Sequence, residues 1–181
     1  MLAAAAILWT FWVEPCSKPA EMHCQSGDAQ LAEWSLDAWA KAATGALQFQ
    51  RVNDEKSARL RFYWAGNRQG LYGEARPIEF RGQRGAEIFL RPSVTQTGDA
   101  LLRDTIVFLT CLHESGHALG LGHTRDFDDI MYSFQFGGDL EEYFARHRRK
   151  LKVRADVAKI DAISPADTRR LQTVLKYSNA F

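Results

Sequence analysis

Residues 113–123 of this chain read His113-Glu114-Ser115-Gly116-His117-Ala118-Leu119-Gly120-Leu121-Gly122-His123. Residues i and i+4 of an α-helix are neighbours on one face, so His113 and His117 can direct their imidazoles at one metal ion. Gly120 allows the chain to leave the helix sharply, after which His123 can turn back as a third ligand. Three imidazoles that leave one coordination position open are typical of a catalytic rather than a structural zinc site. The stretch therefore predicts a zinc ion held by three histidines.

Glu114 follows the first histidine and lies on the flank of the same predicted helix. From there its carboxylate can reach a metal-bound water without ligating the metal itself, which predicts a general base for hydrolysis. A chance HExxHxxGxxH pattern is expected in about one of 10⁵ chains of this composition if positions are independent. We therefore interpret the pattern as a functional site rather than as histidines packed inside an ordinary helix.

The extended motif resembles that of the metzincin zinc peptidases, and a second pattern agrees with it. Asp129-Ile130-Met131-Tyr132-Ser133 follows the third histidine and looks like the Met-turn that lies beneath the zinc in that clan, with Met131 as its methionine. Within the clan the resemblance is to the matrixins, whose final helix opens in the manner of Ser164-Pro165-Ala166-Asp167. The resemblance implies an α+β, metzincin-type catalytic domain: a twisted mixed sheet of about five strands, three helices, and an active-site helix that ends at a Gly turn.

The patterning of the rest of the chain is compatible with that fold. Alternating or β-branched runs predict strands at residues 7–13, 47–52, 58–64, 71–78 and 86–90. Apolar residues at helical spacing predict helices at residues 28–44 and 101–119, with Asp28 as the N-cap of the first, and a last helix opens at Ser164. Residues 134–163 read as a long loop before that helix.

The resemblance also implies how a substrate binds. It makes residues 71–77 the edge strand that pairs with an extended protein or peptide substrate, with Gly73, Glu74 and Ala75 as the contact residues. A specificity pocket would then lie beneath the zinc, with the Met-turn and the long loop as its walls.

The length and net charge of the chain limit the classes of protein to which it can belong. A chain of 181 residues with 23 Lys plus Arg against 22 Asp plus Glu is one globular domain with a net charge of +1, which gives nucleic acid no general field to bind. We place the catalytic domain at residues 7–181 and expect a monomer. Residues 2–13 are apolar but shorter than the roughly 20 residues of a membrane-spanning helix. They are either a first strand from residue 7, preceded by a remnant of a signal segment at residues 1–6, or an unusual export signal.

The three cysteines and the acidic residues near the Met-turn give weaker indications. Cys16 and Cys24 can close a loop with a disulfide if the protein is secreted, periplasmic or on the cell surface, which is the location we expect although no clear export signal is present. Cys111 is expected to be a small buried residue. The resemblance to matrixins raises the question of a second zinc site, which histidines build in the animal members, but no histidine lies between His23 and His113, so one zinc is expected. The family resemblance implies that calcium is a further candidate, at Asp126, Asp128 and Asp129, but their spacing forms no regular calcium loop.

A basic run at residues 146–154 permits two interpretations. Its cations are Arg146, Arg148, Arg149, Lys150, Lys152 and Arg154. They either form a functional surface for acidic substrates or anionic partners, or lie on the solvated face of a short helix and are balanced by the acids at residues 139–142. The sequence thus predicts a zinc-dependent endopeptidase, with a catalytically silent zinc-containing peptide-binding module, or binding through the basic run, as alternatives.

Overall fold

The computed structural model describes residues 6–66, 72–92 and 98–178. Its five strands form one mixed sheet in the order β2-β1-β3-β5-β4. The strands are β1 (Ile7–Val13), β2 (Leu47–Arg51), β3 (Leu60–Trp64), β4 (Gly73–Phe80) and β5 (Gln83–Leu90). The first three pairings are parallel, and only the β4–β5 hairpin is antiparallel. The predicted mixed α+β sheet is therefore confirmed, and β4 lies at its edge.

Alternation along the strands explains which face of the sheet is covered. In β1, β3 and β5 every second residue is buried: Trp9, Phe11 and Val13; Leu60, Phe62 and Trp64; Ala86, Ile88 and Leu90. Successive side chains of a strand point to opposite faces, so these residues form one apolar face against which the helices pack. The core lies between that face and the two longest helices.

The helices are α1 (Pro19–Met22), α2 (Asp28–Ala42), α3 (Ala100–Leu119), α4 (Leu140–Arg148) and α5 (Pro165–Ser178). The three long ones, α2, α3 and α5, are those that the sequence predicts. Asp99 is the N-cap of α3, and its side chain accepts hydrogen bonds from the Leu101 and Leu102 N–H groups. The indole of Trp39 on α2 is fully buried and donates to the Leu112 carbonyl of α3 at 2.9 Å. This contact joins α2 to the helix that contains the first two histidines.

The sequence leaves two alternatives open for the N-terminal segment, a strand or an export signal, and in the structure the segment forms a strand. β1 lies inside the sheet between β2 and β3, whereas residues 1–5 of the predicted signal remnant lie outside the described residues. Cys16 and Cys24 form a disulfide, and Cys111 is fully buried, as predicted. Of the helices in the described part of the chain, none has the length and apolar character needed to cross a membrane.

Two local predictions need correction. Asp28 is not the N-cap of α2: Gly27 has that position, and the Asp28 carboxylate is buried in an ion pair with the Arg103 guanidinium. The segment predicted as a long loop contains α4, because Asp139 caps its first turn and Tyr143, Phe144 and His147 bury one face. The predicted start of the edge strand at Leu71 lies outside the described residues.

The basic run lies at the end of α4 and in the turns that follow, where four of its six cations pair with acids. These pairs are Arg146 with Asp128, Arg148 with Asp99, Arg149 with Glu142 and Arg154 with Asp104. Since most of its charge is balanced within the chain, the structure favours the interpretation as a solvated helix face over a binding surface.

Candidate metal centre

The end of α3 brings the three histidines together. Gly120 adopts a left-handed conformation with φ of 106°, which a side chain would disfavour. Its N–H bonds to the His117 carbonyl at 3.0 Å, and the Leu121 N–H bonds to the Gly116 carbonyl at 2.9 Å. These two bonds end the helix in a tight turn and return the chain toward His113, so His123 faces the other two imidazoles.

The three imidazoles converge through their Nε2 atoms. The Nε2 of His123 lies 3.3 Å from that of His113 and 3.0 Å from that of His117. Ligand nitrogens around a tetrahedral zinc lie about 3.3 Å apart, given Zn–N distances of about 2.0–2.1 Å. The residues present therefore fit a zinc ion, and among the described residues no other group of three or more possible ligands is assembled.

Backbone carbonyls fix the orientation of the two helical histidines. The Nδ1 of His113 lies 2.7 Å from the Ile130 carbonyl, and the Nδ1 of His117 lies 2.8 Å from the Leu121 carbonyl. A carbonyl can only accept, so each Nδ1 must hold the proton and each Nε2 presents a lone pair to the metal. Burial also lowers the pKa of both groups, that of His113 to about 4, so both rings are neutral at physiological pH.

The segment predicted as the Met-turn packs against α3 next to the three histidines. Met131 is fully buried, and its Sδ lies so close to α3 that a Cβ on Gly116 would approach within 2.4 Å of it. The Met131 carbonyl accepts from the Thr124 N–H at 2.8 Å, which ties the turn to the residue after the third histidine. The Ile130 N–H donates to the buried Asp167 carboxylate at 2.8 Å. The turn is thus held on one side by the chain after α3 and on the other by the start of α5.

Glu114 is placed beside the imidazoles and under the edge strand. Its side chain is buried against Gly73 of β4, where a Cβ would meet the Glu114 Cγ at 2.8 Å. Burial raises the pKa of Glu114 to about 7, opposed by a hydrogen bond from the backbone of Ala75 and supported by the nearby charge of Glu74. A carboxyl with a pKa near neutrality can both take up and release a proton at physiological pH.

Of the three residues predicted on the edge strand, two face the site. Gly73 and Ala75 lie on the side of β4 that faces α3, while Glu74 lies on the opposite side and pairs with Arg76. β4 bonds only to β5, so within the described residues no strand occupies its other edge. An extended peptide can pair with an edge strand of this kind.

An apolar cavity of about 270 Å³ opens beside Glu114. Its lining includes His113, His123 and Ile130, together with Tyr143 and Phe144 of α4. The last two contribute because α4 packs under the Met-turn, where the Tyr143 hydroxyl donates to the Asp129 carbonyl at 3.1 Å. The sequence analysis gives Tyr143 and Phe144 no role, although apolar residues at helical spacing from Leu140 onward indicate the helix that positions them.

The structure gives calcium no support at the three aspartates. Asp128 pairs with Arg146, and Asp129 pairs with Arg170 and accepts from the Ser164 hydroxyl. Asp126 accepts from the Asp128 N–H. Each of the three carboxylates thus makes a local contact in the loop around the Met-turn.

The fold and the three converging imidazoles define a domain of the zinc metallopeptidase type. A family model described as Matrixin matches residues 13–143, so the chain belongs to the matrixin family. In structure the chain is similar to archaemetzincin from Methanopyrus kandleri, at a TM-score of 0.54 and 13% sequence identity, over 94% of this chain and 96% of that one. No curated protein sequence matches the chain. The structural likeness extends the metzincin-type fold beyond the matched residues, into α5.

Proposed function

We propose that the protein is a zinc-dependent endopeptidase in which His113, His117 and His123 hold the metal and Glu114 is the general base. The observation that supports this most directly is the position of Glu114, which is buried against Gly73 of β4 and lines one cavity together with His113 and His123. A silent binding module has no need of a carboxyl with a raised pKa at that place.

The chain's own residues account for the proton transfers. Bound at the imidazoles, zinc would supply a water of lowered pKa and a Lewis acid for the carbonyl oxygen. Glu114 accepts the proton of the attacking water and returns it to the amine that leaves. The N–H of Ala75 stabilises the charged form of Glu114, while burial stabilises the neutral form, so neither form is strongly favoured.

Substrate binding follows from the edge strand and the apolar cavity. The backbone of β4 pairs with an extended peptide at Gly73, Glu74 and Ala75 and holds it in register whatever its sequence. One side chain of the peptide enters the cavity lined by Ile130, Tyr132, Tyr143 and Phe144, which favours an apolar residue next to the scissile bond. Met131 packs against α3 and supports the floor of the metal site. The domain acts as a monomer.

The disulfide supports a location outside the reducing cytoplasm. Cys16 and Cys24 are joined although they are only eight residues apart in sequence, in a loop that contains the short helix α1. Disulfides of this kind persist in oxidising compartments. We therefore propose that the protein acts in a secreted, periplasmic or cell-surface setting.

The experiment compares wild type, Glu114→Ala and Glu87→Ala by metal analysis and by cleavage of a quenched fluorogenic peptide library. Glu87 is the control because it is a glutamate of β5, outside the metal centre, whose carboxylate pairs with Arg61. We expect one zinc per chain in all three proteins and a loss of cleavage only in Glu114→Ala. Zinc without cleavage in wild type would contradict the peptidase, and loss of zinc in Glu114→Ala would contradict the separate role of the base.

A further inference from the structure

A second cavity flanks the metal centre on the side away from the apolar one. It measures about 290 Å³ and lies between the inner face of the β4–β5 hairpin and the end of α3. His117 is part of its lining, and so are Ala75 and Pro77 of β4 and Arg84 of β5. Gly73 borders the apolar cavity and Pro77 borders this one. The two cavities therefore lie one after the other along β4, the strand that is proposed to bind the substrate.

Arg84 is held in a fixed position within this cavity. Its Nε donates to the Ala118 carbonyl at 2.9 Å, and its Nη2 donates to the His117 carbonyl at 2.9 Å. Two bonds to the end of one helix restrict the guanidinium, so little side-chain entropy remains to be lost when a ligand binds.

The guanidinium keeps donors for a ligand. Arg84 is exposed, and the hydrogen bonds among the described residues use the N–H of Nε and one N–H of Nη2, which leaves both N–H groups of Nη1 and the second N–H of Nη2. Glu79 lies directly opposite in the hairpin register, but no ion pair within 4.0 Å joins the two side chains. Arg76 on the same strand differs, because it is paired with Glu74.

We propose that this cavity is a second substrate subsite, in which Arg84 binds the carboxylate of an aspartate or glutamate side chain. The inference rests on the proposed peptidase function, because it requires a peptide that lies along β4. A fixed guanidinium with free N–H groups forms charge-assisted hydrogen bonds that an amide or a methyl group does not match. The preferred substrate then has an apolar residue at one cavity and, a few residues away, an acidic residue at the other.

Arg84 also has a structural use that an experiment must separate from recognition. Its two bonds satisfy carbonyls at the C-terminal end of α3, where a cation is favourable in any case. A purely structural role predicts that loss of Arg84 lowers the unfolding midpoint and weakens all peptides alike. A recognition role predicts that the ratio between acidic and neutral peptides changes.

The test measures the Kd of paired peptides on the zinc-loaded Glu114→Ala protein by fluorescence anisotropy. Each pair has an apolar residue in the centre and differs by Glu against Gln at one position, which is moved along the peptide. We expect one position at which Glu binds about tenfold more tightly than Gln. That ratio should fall to about one when Arg84→Gln is added and should persist when Arg81→Gln is added. Arg81 is the matched control, since it is an exposed cation in the turn of the same hairpin and lies outside the cavity.

A second variant keeps the bonds of Arg84 to α3. Pro77→Glu places a carboxylate at the exposed rim of the same cavity, and we expect it to abolish the Glu preference without loss of folding. Equal binding of Glu and Gln peptides at every position, or an equal loss of preference in Arg81→Gln, overturns the subsite. Cleavage of the same peptides by zinc-loaded wild type is scored separately, so an inactive enzyme contradicts the proposed function and leaves the binding result to decide the subsite.

Discussion

The metal centre at residues 113–132 and the segment at residues 134–163 are positioned by different kinds of interaction. In the centre, main-chain groups hold the side chains in place: the Ile130 and Leu121 carbonyls orient two histidines, and the Thr124 N–H donates to the Met131 carbonyl of the Met-turn. In the following segment, long side chains reach across the molecule, as Arg148 does to Asp99. A surface substitution is therefore expected to leave the first region intact and to alter the second.

The two regions meet at the start of α5, and this junction supports the first prediction. Asp167 is fully buried and accepts from the Ile130 N–H at 2.8 Å, the Ser164 N–H at 3.2 Å and the Arg170 guanidinium at 2.5 Å. Asp167→Ala removes the acceptor of the Ile130 and Ser164 N–H groups, whereas Arg170 keeps its pair with Asp129, so the free energy of unfolding should fall by about 2–4 kcal/mol. The zinc affinity should fall about 10–100-fold, because the peptide of Ile130 also orients His113.

Urea unfolding of the apo protein and a competitive zinc titration measure the two effects. Asp161→Ala is the control, since this aspartate is exposed, and neither quantity should change in it. A loss of stability with unchanged zinc affinity would show that the Met-turn keeps its position without α5, and would separate the two regions more sharply than proposed.

The second prediction concerns the pH dependence of the segment after the metal centre. His147 is buried on α4, and burial lowers its pKa to about 4, with Arg146 and Lys150 adding to the effect and Asp128 and Asp161 opposing it. The unfolded chain takes up this proton near pH 6.5, whereas the native protein does so only near pH 4. Stability contributed by neutral His147 is therefore complete above about pH 6.5 and lost as the pH falls, by up to about 3 kcal/mol at pH 4.

Urea unfolding at pH 7 and pH 5 in wild type and His147→Gln isolates this contribution from that of the other histidines. Wild type should lose more stability between the two pH values than the variant. Equal losses would mean that the pKa of His147 is not lowered in the native protein. That would contradict its surroundings, because the Arg146 Nε donates to its Nε2 at 3.3 Å and its Nδ1 has no hydrogen-bond partner among the described residues.

The contrast between the regions also explains what the sequence could predict. The centre follows from spacing within residues 113–123, and the edge strand was predicted at residues 71–78 and is found at Gly73–Phe80. The contact of Arg84 with the Ala118 carbonyl joins residues 34 apart, and it depends on the register of the hairpin and on how close the sheet lies to α3. Asp28 was misassigned for the same reason, because its partner Arg103 is 75 residues away.

The third prediction tests how tightly the Met-turn lies against α3. A Cβ on Gly116 would meet the Met131 Sδ at 2.4 Å and the Trp39 Cζ2 at 3.0 Å, and both side chains are fully buried. Gly116→Ala should therefore lower the free energy of unfolding by about 1–3 kcal/mol, although alanine favours a helix. Gly122→Ala is the control, because a Cβ there has nothing within 4 Å. If Gly116→Ala is neutral, the methionine moves freely and does not form a rigid floor.

The last prediction compares two arginines of the basic run, Arg154 and Arg149. Arg154 donates to the Asp104 carboxylate at 2.8 Å, to the Gln30 side chain at 2.7 Å and to the Gly27 carbonyl at 2.7 Å, and Asp104 is buried. Arg154→Gln should lower the free energy of unfolding by about 1 kcal/mol, with little dependence on salt. Arg149 pairs with Glu142 in open solvent, so Arg149→Gln should leave the urea midpoint unchanged. Because both variants remove one positive charge from the same run, equal effects would mean that net charge, rather than the specific contacts of Arg154, stabilises the segment.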